Sequence, residues 1–290
     1  MRLGTRIGLT LAGVLAVAAA VAGYVVWRAQ EPPANAPDRL RRDPARPLVV
    51  CAGASVTQGR MSANYVTLLE ARLGSRFQFA NAGRNGDLAY NLRQRLGAVV
   101  ALRPDFVVLQ IGTNDVNASL DPRVAHRYQS AKGLPVLPDR AFYRENLVGI
   151  VQRLRRETTA RLALLSLPVF GEDLDSALNE RVRSYDVVIR DVAASEAIAY
   201  LPLHETMEEV LRAQPPSHPR PPANVMVGLA QAQHFLLGRS FDEIGERYGY
   251  RLLSDGMHLN GRGAAVVADV VESYLRAQAV APSPTKGDSR

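Results

Sequence analysis

Along most of this chain, short apolar runs alternate with longer stretches in which apolar residues return every three or four positions. The short runs are Leu48–Ala52, Phe77–Ala80, Phe106–Leu109, Leu162–Leu165 and Ile198–Leu201. Runs of that length suit strands buried on both faces, as in a parallel sheet. The longer stretches, Ala63–Leu73, Leu88–Leu102, Arg140–Arg156 and Leu174–Ala194, have helical spacing. A last helix, Gly263–Ala277, presents Val266, Val267, Val270, Val271 and Tyr274 as its inward stripe. This alternation predicts an α/β fold, a three-layer α/β/α sandwich with a mostly parallel sheet and right-handed crossovers. Two segments fall outside it. Residues 116–139 read as a polar, proline-containing loop. Residues 213–249 read as an insertion that opens on PPSHPRPP and continues as a helical stretch. Its length suits a mobile surface loop and a substrate-facing lid equally.

The amino end has a different pattern. Ile7–Trp27 is uncharged throughout, flanked by Arg2 and Arg6 on one side and Arg28 on the other. As a helix it spans about 30 Å, the thickness of a bilayer's hydrocarbon core. Tyr24 and Trp27 stand where an interfacial aromatic belt places such rings. A cleaved signal peptide is the alternative, since Ala20-Val21-Ala22 offers a small-x-small site. The run continuing past that site favours an uncleaved membrane anchor. The expected organisation is therefore an anchor or signal segment (1–28), a Pro/Arg-rich linker without a core (29–46), one catalytic-size domain (47–278) with the 213–249 insertion, and a disordered tail (279–290). Short N-terminal anchors commonly export the domain attached to them, so the domain is expected outside the cytoplasm, with secretion after cleavage as the alternative.

Charge and composition narrow the function. The net charge of +7 suggests a nucleic-acid partner until it is divided along the chain. Seven arginines against Glu31, Asp38 and Asp43 leave residues 1–46 with a surplus of four, and the tail adds one. The domain keeps only two, so no phosphate-binding face is indicated and no nucleic-acid partner is expected. A single cysteine, Cys51, excludes an internal disulfide framework and a thiolate zinc cluster. No P-loop, G-x-G-x-x-G or zinc-binding H-E-x-x-H pattern occurs. The oligomeric state has no sequence signature.

In an open parallel sheet, ligands bind beyond the carboxyl ends of the strands. After the first three runs come Gly53-Ala54-Ser55-Val56-Thr57-Gln58-Gly59, Asn81-Ala82-Gly83-Arg84-Asn85-Gly86-Asp87 and Gly112-Thr113-Asn114-Asp115. Just before the last helix comes Asp255-Gly256-Met257-His258. An Asp three residues ahead of a His can fix the imidazole's tautomer, leaving Nε2 free to take a proton. A serine hydroxyl needs such a base within reach. Any one of these residues alone is more simply a turn, cap or packing residue. The information lies in all four pieces occurring in order, each after its expected element.

With these four blocks the sequence resembles the SGNH hydrolases, the GDSL-like lipases and esterases, over roughly 47–277. The resemblance implies a flavodoxin-like α/β/α fold and cofactor-free ester hydrolysis. Ser55 would be the nucleophile, His258 its base and Asp255 the orienter of that base. Ser55, Gly83 and Asn114 would form the oxyanion hole. One position departs from the pattern: the family has Asp where this chain has Ala54, which leaves the triad intact and puts the rigidity of the Ser55 loop in question. The expected substrate is a small-molecule or glycan ester, short-chain or carbohydrate in preference to long-chain lipid, because the catalytic loops supply no apolar tunnel. The same residues serve transfer of an acyl group onto a cell-surface glycan, or a silent SGNH-like binding domain.

Overall fold

A computed structural model describes residues 2–214 and 223–280, and all five apolar runs become strands of one sheet. Helix α1 (Arg2–Gln30) comes first. The domain then runs β1 (Leu48–Gly53), α2 (Ser55–Gln58), α3 (Tyr65–Leu73), β2 (Gln78–Gly83), α4 (Ala89–Gln94), α5 (Gly97–Ala101) and β3 (Phe106–Gln110). Next come α6 (Thr113–Ala118), α7 (Pro122–Lys132), α8 (Arg140–Glu157), β4 (Arg161–Leu165), α9 (Ala177–Ser195) and β5 (Ala199–Leu201). The chain ends with α10 (Leu203–Ala213), α11 (Ala223–Leu237), α12 (Phe241–Arg247) and α13 (Gly261–Val280).

The strands are all parallel, in the order β2-β1-β3-β4-β5. Successive side chains on a strand point to opposite faces, so β1 feeds two cores. Leu48, Val50 and Ala52 pack with Leu92, Val99, Ile150 and Ile189 under α4, α5, α8 and α9. Val49 and Cys51 pack with Leu69, Met207 and Val271 under α3, α10 and α13. Helix starts follow from side-chain caps: Asn64 accepts from Val66 and Thr67 N–H, Asp139 from Phe142, and Ser176 from Asn179.

Two segments of the domain differ from the sequence-based expectation. The stretch 88–102 is two short helices, α4 and α5, rather than one. The expected 116–139 loop holds the end of α6 and all of α7. Asp121 caps α7, Pro122 opens it, and Gly133 ends it at φ 62°. Only Ala125 of α7 is buried, so the helix lacks the apolar stripe by which pattern reading finds helices. In the insertion, 223–249 forms α11 and α12, where Ala230, Phe241 and Ile244 pack together. Its PPSHPRPP stretch (215–222) lies outside the described residues, as does most of the 279–290 tail.

The segment after α1 is not free-standing. β2 is an edge strand, and residues 35–43 lie along it. Asn81 N–H donates to the Asn35 carbonyl at 3.0 Å. The Gln78 amide donates to the Arg41 carbonyl at 2.6 Å and accepts from Asp43 N–H at 2.9 Å. Arg42 adds an ion pair to Asp105 at 2.9 Å. Covering an edge in this way blocks strand addition by another chain. A Gln78→Ala variant is expected to lose about 1–2 kcal/mol of stability in urea unfolding; a loose linker would leave the midpoint unchanged.

Candidate active site

The carboxyl ends of β1, β2 and β3 and the 250–260 segment converge on one cavity of about 550 Å³, which Ser55, Gly86, Asn114 and His258 line. Ser55 is the first residue of α2. Two interactions hold the turn that leads into it. Asn81 donates its side-chain N–H to the Thr57 carbonyl at 2.7 Å. Arg95 donates to the Gly53 and Ala82 carbonyls, both at 2.9 Å. Ala54, at the family's Asp position, is buried in the apolar core. These neighbours fix the loop without a carboxylate at that position.

Asp255 and His258 come from one tight turn. Asp255 is fully buried, and its Oδ1 accepts the backbone N–H groups of Met257 at 2.9 Å and His258 at 2.8 Å. Its Oδ2 lies 2.7 Å from His258 Nδ1. A carboxylate only accepts, so Nδ1 carries the proton and Nε2 is left as an acceptor. His258 Nε2 lies 3.0 Å from Ser55 Oγ. The arrangement can therefore pass a proton from hydroxyl to imidazole while the carboxylate stabilises the cation that forms.

A second carboxylate, which no sequence motif marks, anchors the strand of chain that leads into this turn. Glu172 is buried and accepts N–H groups from Arg251, Leu252 and Leu253 at 2.7–2.9 Å. Below the turn, Leu259 N–H donates to Ser62 Oγ at 3.0 Å.

Asn114 stands on α6 with its amide fixed from both sides. Its Nδ2 donates to the Asp87 carbonyl at 2.9 Å, leaving one N–H unused by that bond. Its Oδ1 accepts from the Tyr128 hydroxyl at 3.0 Å, and that hydroxyl accepts from Asn117 at 3.1 Å. Tyr128 comes from α7, the helix the sequence pattern did not predict.

Gly83 is not where the resemblance places it. Its N–H donates to Asn81 Oδ1 at 2.9 Å, and it does not line the cavity. A side chain at Gly83 would collide with the Gln58 backbone, so glycine is required there by the close approach of β2 to α2. Gly86, three residues on, lines the cavity with φ at 75°. Its N–H has no acceptor among the described residues.

The walls of the cavity are mainly apolar, with Met61, Leu120, Phe170, Val227 and Met257 facing the polar group around Ser55. Val227 belongs to the 213–249 insertion. Among the described residues, no group of three or more His, Cys, Asp or Glu side chains is arranged to hold a metal ion.

Comparison with known proteins gives the family and the fold. The sequence model of the GDSL-like lipase/acylhydrolase family matches residues 51–266. The chain belongs to that family. It is accordingly an ester-cleaving hydrolase. Solved structures with the same fold include LAE5, an α/β hydrolase from the metagenome of Lake Arreo, Spain. It is 21% identical, with a TM-score of 0.55, over 78% of this chain and 94% of that one. Axe2, an acetylxylan esterase from Geobacillus stearothermophilus, is 17% identical with a TM-score of 0.57, over 79% and 93%. A lipase/acylhydrolase from Enterococcus faecalis is 18% identical with a TM-score of 0.53, over 80% and 96%. No curated protein matches the sequence.

Next to Asn114 in this family member, Asp115 is 1% exposed and accepts the Ala89 N–H at the start of α4. Burial pushes its carboxyl up to about 8. The unfolded chain loses that proton near 3.8, so between those values the folded state holds more protons. Stability therefore falls as pH rises across that window, by at most about 1.4 kcal/mol per pH unit. Asp115→Asn keeps the acceptor and removes the charge. Urea unfolding between pH 5 and 8 is expected to show a flatter profile for the variant than for the parent.

Proposed function

We propose that this chain is a cofactor-free serine esterase that works through an acyl-enzyme on Ser55, held by α1 at a membrane with its domain outside the cytoplasm. The observation that carries the catalytic reading is the unbroken hydrogen-bond chain Ser55–His258–Asp255 at 3.0 and 2.7 Å. Ser55 Oγ attacks the ester carbonyl as His258 Nε2 accepts its proton. Asp255 holds the imidazole's tautomer and stabilises the imidazolium. The tetrahedral oxyanion is held by the N–H groups of Ser55 and Gly86 and the remaining N–H of Asn114. Gly86 takes the place of Gly83 in this mechanism because it lines the cavity with a free N–H. His258 then returns the proton to the leaving alcohol, and water repeats the sequence on the acyl-enzyme.

The anchor reading is supported by α1, which is long and apolar enough to be a membrane anchor or a signal peptide, with only 6% of Gly13–Gln30 buried. The apolar cavity walls shift the substrate reading away from the short-chain preference and toward an ester with an extended acyl group. Each methylene removed from water there contributes about 0.8 kcal/mol of binding. The acetylxylan esterases among the structural relatives make an acetylated glycan the second substrate reading.

Hydrolysis of p-nitrophenyl esters from acetyl to palmitoyl tests these statements together. Ser55→Ala is expected to abolish turnover while leaving the far-UV spectrum unchanged; retained turnover removes Ser55 from the mechanism. Asn114→Ala is expected to lower kcat about 100- to 1,000-fold. A kcat/KM maximum beyond butyryl supports the extended acyl group, and a maximum at acetyl supports the glycan reading.

Tyr128→Phe removes one hydrogen bond that positions the Asn114 amide. A net hydrogen bond is worth about 1 kcal/mol, so kcat is expected to fall roughly fivefold with KM nearly unchanged. An unchanged kcat in steady-state kinetics separates Tyr128 from the oxyanion hole.

A further inference from the structure

Helix α11 has no charged side chain between Ala223 and Leu237 other than the titratable His234. Its described polar side chains are turned to protein partners: Gln231 donates to the Met61 carbonyl, Gln233 to the Tyr248 hydroxyl, and His234 Nδ1 lies 2.8 Å from the Arg239 carbonyl. One side of α11 is accounted for, since Met226 and Ala230 are buried and Ala230 packs with Phe241 and Ile244 of α12. The other side is open. Leu229 and Leu236 are 49% and 44% exposed, and Leu237, which ends the helix, is 66% exposed. Leu229 and Leu236 lie two turns apart and share one face.

The position of α11 gives that face a partner. α11 packs against α1, with the Arg28 guanidinium 6.0 Å from the centre of the Phe235 ring. Tyr24 and Trp27, both exposed, stand with Arg28 at the end of the apolar span of α1. Aromatic rings followed by a cation mark the level of a membrane interface. Arg60, 5.9 Å from the same Phe235 ring, shares Glu31 with Arg28, and Arg239 lies near Glu243, which leaves a small positive surplus at this end of α11, complementary to anionic headgroups. At its other end α11 places Val227 in the wall of the Ser55 cavity. Val227 and Phe235 are separated by about 12 Å along the helix.

We propose that α11 is an interfacial helix whose Leu229–Leu236 face, with Leu237 at the helix end, rests on the lipid surface that α1 enters, bringing the Ser55 cavity to esters carried in that bilayer. This rests on the anchor reading above, and it deepens the substrate reading from an apolar acyl group to a membrane-borne one. The helix lies along the interface rather than spanning it, because one side is already packed on α12 and α1.

The test uses the full chain in phosphatidylcholine–phosphatidylglycerol vesicles that contain a doxyl-labelled lipid. Cys51 is fully buried with its thiol pushed up to about 12, so an environment-sensitive fluorophore attaches selectively at an introduced Leu236→Cys. Val187→Cys, exposed on α9 in the opposite layer, is the control. Trp27, the only tryptophan, reports independently on α1. Quenching at Trp27 and at Leu236, with none at Val187, is the expected result. Quenching at Trp27 without quenching at Leu236 overturns the role of α11 while leaving the anchor in place. Trp27 remaining unquenched overturns the anchor reading and, with it, this proposal. Disulfide-linked dimers through Leu236→Cys in place of quenching assign the face to a second copy and overturn the lipid contact. A kinetic arm completes the test. L229S/L236S/L237S is expected to retain turnover of a soluble p-nitrophenyl ester and to lose roughly tenfold on an ester carried in the vesicles. Equal turnover of the vesicle-borne ester by variant and parent overturns the proposal.

Discussion

A single buried carboxylate holds the candidate site together. Asp255 sits with no exposed surface and directs both oxygens into one short turn, two backbone N–H groups on Oδ1 and the His258 imidazole on Oδ2. An unpaired carboxylate in that position would be strongly destabilising. The three hydrogen bonds offset its desolvation only if the backbone from 255 to 258 keeps its turn. The same bonds that make the buried charge tolerable therefore fix the ring and leave Nε2 aimed at Ser55. Orientation of the imidazole and stability of the turn are one interaction viewed from two sides.

The turn would drift if its approach were free, and the fold restrains it through neighbours distant in sequence. Glu172, in the segment after β4, gathers three consecutive N–H groups at 251–253, while Ser62 and Ala63 hold Leu259 from the side of α3. Parallel topology makes this possible, since every strand delivers its following loop to the same edge. Asn81 and Arg95 restrain the Ser55 loop in the same manner, from β2 and the end of α4. Ala54 is tolerated at the family's Asp position because polar partners on both sides already hold the Ser55 turn.

The legibility of the sequence divides along physical lines. Strands buried on both faces are written as unbroken apolar runs, so all five are readable to within two residues at each end, save for the extension of β2 to Gly83. Ser55 and Asn114 follow from local motifs after those strands, and Asp255 and His258 from one just before the last helix. Gly83 and Gly86 occupy one loop three residues apart, and which N–H faces the cavity depends on where Asn81 directs its carbonyl oxygen, a tertiary contact with no local signature. α7 has its start and stop signals in view, Asp121-Pro122 and Gly133, yet its nearly polar surface hides it and with it Tyr128. Glu172 has no signal at all, because its partners lie some eighty positions away and are backbone atoms that any residue supplies.

The N-terminal segment is the place where composition misleads most. Residues 29–46 are rich in proline and charge, which reads as a tether without fixed structure. They nevertheless bury Ala29 and Ala36, pair Arg60 with Glu31, and place the Glu31 carbonyl 3.1 Å from the Gln58 amide, three residues beyond Ser55. Residues 35–43 then complete the edge of the sheet. Composition predicts flexibility only when no partner surface is waiting, and here an uncovered parallel edge strand supplies one. A helix attached through such a segment is not free to swing about a loose joint. Its direction is set relative to α2 and α11, and so relative to the cavity. If α1 enters a bilayer, the distance and tilt of the Ser55 site above that bilayer are properties of the fold itself.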